Sequence, residues 1–183
     1  MKKSFILLIL AGLFFTSCAT LPKKVTPNET LLTGCIKATA HGYATYGTSS
    51  VNNSKSTKIE ITMSDSKDMK VYKIKPNKDG LFVIKGLSAG ETYRIRNLKL
   101  ISEGGDGSSA WVFVNFQNHK PITMDSEAIT NIGYIAIDFD GKTNYTTWTI
   151  DRHYYVEDKF KALAEEEDSE WAYKRFNRVY NAF

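Results

Sequence analysis

Tyr72-Lys73-Ile74-Lys75-Pro76-Asn77-Lys78-Asp79-Gly80-Leu81-Phe82-Val83-Ile84-Lys85-Gly86-Leu87-Ser88-Ala89-Gly90-Glu91-Thr92-Tyr93-Arg94-Ile95 reads as strand, turn, strand, corner, strand. Tyr72 and Ile74 alternate with Lys73 and Lys75, the period of an extended chain with one buried face. Pro76 to Gly80 reverses the chain, with Asp79-Gly80 suited to positive backbone angles, and Leu81 to Ile84 resumes it, so the two strands are expected to pair as a hairpin. Gly86 to Gly90 then turns it again into Tyr93-Arg94-Ile95-Arg96, Leu98 and Leu100.

The same period continues outward. Ile59, Ile61 and Met63 share one face of Lys58 to Met63, and further strands are predicted at Leu31 to Ala40, Trp111 to Phe116, Ile132 to Phe139 and Tyr145 to Ile150. The last two are joined by a tight turn at Asp140-Gly141. About seven or eight short strands separated by turns close most naturally as a mainly antiparallel β-sandwich.

The quoted stretch resembles the centre of carboxypeptidase regulatory-like domains, a prealbumin-like (transthyretin-like) sandwich family. The shared pattern is a strand, an Asp-Gly turn, an aromatic strand, the corner Gly86-Leu87-Ser88-Ala89-Gly90 and a tyrosine-bearing strand, with Thr33-Gly34-Cys35-Ile36 corresponding to the family's first strand. Leu87 is expected to plug the sandwich end while Gly86 and Gly90 permit the reversal. The resemblance implies a fold and an accessory module without catalytic residues, and no activity follows from it.

From about Glu157 onward the period changes. Phe160, Leu163, Ala164, Trp171, Phe176, Val179 and Tyr180 fall at helical spacing among acidic residues, so residues 156–183 are predicted as an amphipathic helical appendage to a sandwich over 31–155. Glu165-Glu166-Glu167-Asp168-Ser169 divides it into two helices, with Asp168 or Ser169 capping the second. The aromatic set either covers the sandwich or docks a partner, which makes Trp171, Phe176 and Tyr180 candidate binding residues.

At the other end, Lys2-Lys3, the apolar run Phe5 to Phe15 and Phe15-Thr16-Ser17-Cys18 resemble a bacterial lipoprotein signal peptide. Leu32-Thr33-Gly34-Cys35 is the better four-letter match, but it stands far from the apolar run, where a membrane peptidase cuts. The resemblance implies cleavage after residue 17, acylation of Cys18 and attachment to a lipid bilayer in the bacterial cell envelope, with Ala19 compatible with outer-membrane sorting. A plain signal peptide or an uncleaved anchor is the alternative. Residues 18–30, polar and carrying two prolines, read as a flexible tether reaching at most about 40 Å.

The full chain carries 24 basic and 20 acidic residues among 183. Removal of residues 1–17 takes Lys2 and Lys3 and leaves a charge of about +2, too small for the concentrated basic face of a nucleic-acid binder. Cys35 is then the lone thiol, expected in the core. Ser64-Asp65-Ser66-Lys67 has a Ser-x-x-Lys spacing without the companion motifs of penicillin-recognising enzymes. His41, His119 and His153 show no metal-ligand spacing, and Asp138 to Asn144 reads as a hairpin turn, not a calcium loop. Gly104 to Ser109 is glycine-rich without a phosphate-binding Gly-Lys-Thr/Ser end. Trp111, Phe113 and Trp148 would suit sugar rings if they share an exposed face.

The expectation is thus a non-enzymatic lipoprotein, without cofactor or metal, acting as a binding or envelope-structural module, with an envelope protein or a glycan as its partner. A glycan-binding module using the exposed aromatics, and an envelope hydrolase with a site assembled from dispersed residues, are the alternatives.

Overall fold

The computed structural model describes residues 16–18, 20–41, 49–50, 57–65, 68–103, 109–116, 120–140, 143 and 145–180. In chain order the strands are β1 (Thr16–Cys18), β2 (Glu29–His41), β3 (Ser49–Ser50), β4 (Thr57–Ser64), β5 (Met69–Lys75), β6 (Leu81–Ser88), β7 (Thr92–Glu103), β8 (Ser109–Asn115), β9 (Ile122–Thr123), β10 (Ile129–Asp140) and β11 (Tyr145–Asp151). Helix α1 (His153–Glu166), a 3-10 turn (Glu170–Tyr173) and β12 (Phe176–Arg178) follow. Every strand expected from period two is present. The total exceeds the expected number because short bridging strands leave no periodic signal.

The strands form two facing sheets, the β-sandwich expected from the sequence. Sheet A runs β1-β5-β4-β7-β8, with β9 on β7. Sheet B is built on β10 and β2, with β11 and β12 sharing the outer edge of β10 and β6 and β3 sharing that of β2. Most pairings are antiparallel, but β2 runs parallel to β10, from Leu31 opposite Ile129 to His41 opposite Asp140. The Asp140 turn does close an antiparallel hairpin, with Asp140 opposite Tyr145.

The hairpin expected from β5 and β6 does not form. β5 pairs with β4 in sheet A, whereas β6 pairs with β2 in sheet B, so the Asp79-Gly80 turn carries the chain across the sandwich. Asn77 builds that turn: its Oδ1 accepts from the Asp79 and Leu81 N–H groups, and its carbonyl accepts from Gly80. Residue chemistry explains the crossing. Leu81, Phe82, Val83 and Ile84 are all fully buried, which requires a strand covered on both faces.

Sheet B supplies that environment because it is the middle of three layers. Leu32, Ile36, Phe82, Ile84, Ile132 and Ile135 face sheet A, in a core with Ile59, Ile61, Tyr93 and Leu98. Leu31, Cys35, Leu81, Val83 and Ile129 belong to a second core with Val156, Phe160, Ala164 and Trp171. Val156, Phe160 and Ala164, four residues apart, form the buried stripe that lays α1 on this face. Leu87, 3% exposed in the first core, lies near the end of β6 opposite Thr30.

The segment expected to form a second C-terminal helix is instead a 3-10 turn and a strand. Ser169 caps the turn, accepting from Trp171 N–H at 3.3 Å, and β12 then pairs parallel with Ile129–Asn131 of β10. The cause is a vacancy in sheet B: β11 covers β10 only from Tyr134 onward, so residues 129–131 need another partner. Gly133, at φ 85°, marks the changeover, and Asn131 Oδ1 accepts from its N–H at 2.8 Å.

Candidate functional site

The N-terminal residues expected to form a loose tether are bound to the fold over much of their length. Leu21 is buried in the second core, and its N–H donates to Glu167 Oε2. Ser169 Oγ donates to the Pro22 carbonyl at 2.6 Å, Glu170 N–H to the Lys23 carbonyl at 2.9 Å, and Val25 N–H to Glu170 Oε2 at 2.9 Å. Residues 21–25 thus strap the end of α1. The tether reading failed because the acceptors and donors that hold the strap lie some 145 residues away, where no local pattern registers them.

Cys18 lies just before the strap. Its backbone is the last position of β1, opposite Lys75 on the outer edge of β5, and Lys85 Nζ reaches Thr20 Oγ1 at 3.3 Å. The chain therefore emerges at the side of the sandwich between β5 and β6. A groove of about 360 Å³ opens there, lined by Lys70, Val71, Tyr72, Lys85 and Gly86.

A second concavity lies on the outer side of sheet A. Pairing between β4 and β7 slips after Thr62, so that Thr62 faces Asn97, Met63 faces Ile95, and Arg96 is the extra residue of a bulge. Arg96 Nε donates to Ser64 Oγ at 2.8 Å, and Ser64, Asp65, Thr92, Arg94 and Arg96 line about 260 Å³. Guanidinium donors suit carboxylate or phosphate oxygens. The sequence shows Arg94-Ile95-Arg96 as plain alternation; the bulge that turns Arg96 toward Ser64 has no local signature.

The buried titratable groups act within the fold. Glu157, 6% exposed, accepts from Arg178 through both carboxylate oxygens at 2.6 and 2.8 Å and from Asn131 Nδ2 at 3.2 Å. Asn131 Nδ2 also donates to the His153 carbonyl, and Arg178 lies over the Tyr154 ring at 3.9 Å. This clasp locks α1 to β10 and β12. The hydrogen bonds from Arg178 hold the Glu157 carboxyl below its ordinary range, against an opposing effect of burial. His153 is buried, with Nε2 at 3.1 Å from the Val179 carbonyl. Burial pushes the Cys35 thiol up to about 12, leaving it protonated and unreactive at neutral pH.

The clasp predicts a sign for acid stability. Because the folded carboxyl titrates below the ordinary value of 4.5, its contribution is fully present above that pH and is lost as pH falls through the lowered value. Melting temperatures should show wild type losing its advantage over Glu157→Gln on acidification below about pH 4.5. A difference that stays constant down to pH 2.5 or so contradicts the assignment.

Among the described residues, Trp148, Trp171, Phe176 and Tyr180 do not form one surface. Trp171 is fully enclosed, so it cannot meet a partner; it is the largest side chain of the second core, and Nε1 has no hydrogen-bond partner. Phe176 is half-buried and packs edge-on against Phe160 at 5.6 Å. Tyr180 is 60% exposed, with its ring 4.5 Å from His153. Trp148, on β11, stands edge-on to the buried Phe116 at 5.2 Å. Trp111 and Phe113 sit on β8, but their side chains, like those of Cys18 and His41, lie outside the described residues, as does all of His119.

Among the described residues, no three His, Cys, Asp or Glu side chains come together to hold a metal, and no helix is long and apolar enough to cross a membrane. No family model matches the chain, and comparison with characterised proteins and with solved structures finds no match either.

Proposed function

We propose that this chain is a bacterial envelope lipoprotein, acylated at Cys18 and working as a non-enzymatic binding or structural module of carboxypeptidase regulatory-like type, with the outer membrane as its site. The observation that carries the reading is the order of features at the N-terminus. A basic start and an apolar run lead to Cys18, and three residues further on the chain is already committed to the fold at Leu21. Cleavage before Cys18 would remove Thr16 and Ser17, two of the three residues of β1, a strand at the very edge of sheet A, and would leave β5 and the rest of the sandwich paired.

The non-enzymatic part of the proposal draws on the clasp. Among the described residues, His153, Glu157 and Cys35, groups suited to acid, base or nucleophile roles, are each held in packing or hydrogen bonds within the fold. Cells fed a radiolabelled fatty acid are expected to label the wild-type chain and to leave Cys18→Ala unlabelled. Label retained by Cys18→Ala overturns the anchor.

A further inference from the structure

Sheet B is covered on both sides, by sheet A and by α1, whereas sheet A has one face to solvent. That face is strongly basic. Lys73 and Lys75 alternate on β5 with the buried Tyr72 and Ile74, and Arg94, Arg96 and Lys99 project from β7 beside the buried Tyr93, Ile95, Leu98 and Leu100. Three carboxylates temper it: Glu60 lies in register between Lys73 and Lys99, Asp65 stands 3.9 Å from Lys70, and the exposed Asp68 adjoins Met69. At the far end of β5 from Lys75, the residue Cys18 faces, Met69 and Val71 are 73% and 57% exposed.

The opposite layer is close to neutral, because Lys159, Lys161, Lys174, Arg175 and Arg178, with Lys23 and Lys24 of the strap, balance its carboxylates, and its acidic residues gather in one turn. At the end of α1, Glu165, Glu166 and Asp168 are exposed, with Glu167 half-buried under the strap. The basic excess therefore lies on the sheet A side, and the point of attachment, at the edge of that sheet, is not in the middle. Between Leu21, fixed in the second core, and Cys18 there are three residue steps, about 10 Å of chain. An anchor that short keeps the sandwich within roughly one screening length of the bilayer, where surface charge is still felt.

We propose that the outer face of sheet A lies against an anionic membrane surface, with Lys73, Lys75, Arg94, Arg96 and Lys99 over the headgroups, Met69 and Val71 at the interface, the acylated Cys18 beside Lys75, and the α1 layer turned away. The inference rests on the anchor reading of the preceding section. Acyl chains alone hold the protein on the bilayer; the charged face determines which side looks down. With that orientation fixed, the acidic turn, Tyr154 and Tyr173, exposed at 66% and 91%, point toward other envelope components.

The test uses the full acylated protein in vesicles of phosphatidylcholine, with or without phosphatidylglycerol, and first requires its mass to confirm acylation. A fluorophore is placed at Met69→Cys in one sample and at Glu166→Cys in another, Cys35 being buried and unreactive. Quenching by headgroup-labelled lipid is expected to be about threefold stronger at 69 than at 166 in anionic vesicles, and to approach parity in high salt. A Lys73→Gln, Lys75→Gln, Lys99→Gln protein, checked for an unchanged melting temperature, should also approach parity. Equal quenching at both positions in the acylated protein overturns the oriented face and leaves the anchor standing. A chain without an acyl group overturns both.

Discussion

Gly80→Ala is expected to destabilise the domain by about 3 kcal/mol or more, a large share of the roughly 5–15 kcal/mol that holds a typical domain together. Two causes combine. Gly80 has φ 82°, where a side chain is strained, and a Cβ built there would stand 2.4 Å from the Ile36 carbonyl oxygen. The obstacle is backbone, and it cannot swing away, because the neighbouring Ile36 N–H donates to the Gly80 carbonyl at 2.9 Å. Gly90 separates the two causes: φ is 80° there, but nothing lies within 4 Å of the added carbon. Gly90→Ala is therefore expected to lose only the conformational part, about 1 kcal/mol. Urea unfolding of the two variants measures the difference, and equal losses would show that the close approach at Ile36 is relieved by movement.

Trp171→Ala should rank beside it, with a loss of about 3–5 kcal/mol and a fall in melting temperature on the order of 10 °C. Trp171 sits where the strap, α1 and sheet B meet, in one cluster with Leu21, Phe160 and Ile129. Its removal opens a cavity and loosens the strap, so proteolysis between residues 21 and 30 should accelerate in the variant. Trp171→Phe is the informative companion. Nε1 is buried without a partner, so losing the N–H removes a desolvation cost, and the variant should lose less than half as much as alanine. A phenylalanine variant as unstable as alanine would mean that the whole indole, not the buried apolar volume, holds the junction.

These two positions also show what the sequence could and could not tell. The Asp79-Gly80 turn and the strands on either side are local features, visible in alternation and turn chemistry. Which strands they join is not local, and the expected hairpin gave way because β6, apolar on both faces, belongs in the doubly covered sheet. Trp171, Phe176, Val179 and Tyr180 are spaced like a helical face, yet that spacing came from three separate demands: a core filler, a ring packed on Phe160, and residues beside His153. The vacant stretch of β10 that draws β12 into strand form could be seen only once β11 was placed. The candidate site was legible to a similar degree. Cys18 stands out by its context, but the basic face of sheet A draws on β5 and β7, whose lysines and arginines lie in separate segments and share a side only through β4.

The parallel pairing of β2 with β10 has a consequence in time. It joins segments about a hundred residues apart, so the central pair of sheet B cannot close until most of the chain is present. A chain delivered from its N-terminus would expose Leu31, Leu32, Cys35 and Ile36 throughout that interval, with the strap waiting longer still for Ser169 and Glu170. Closure of the strap is thus a mark of completed folding, and it occurs at the residues that tie the protein to its surroundings.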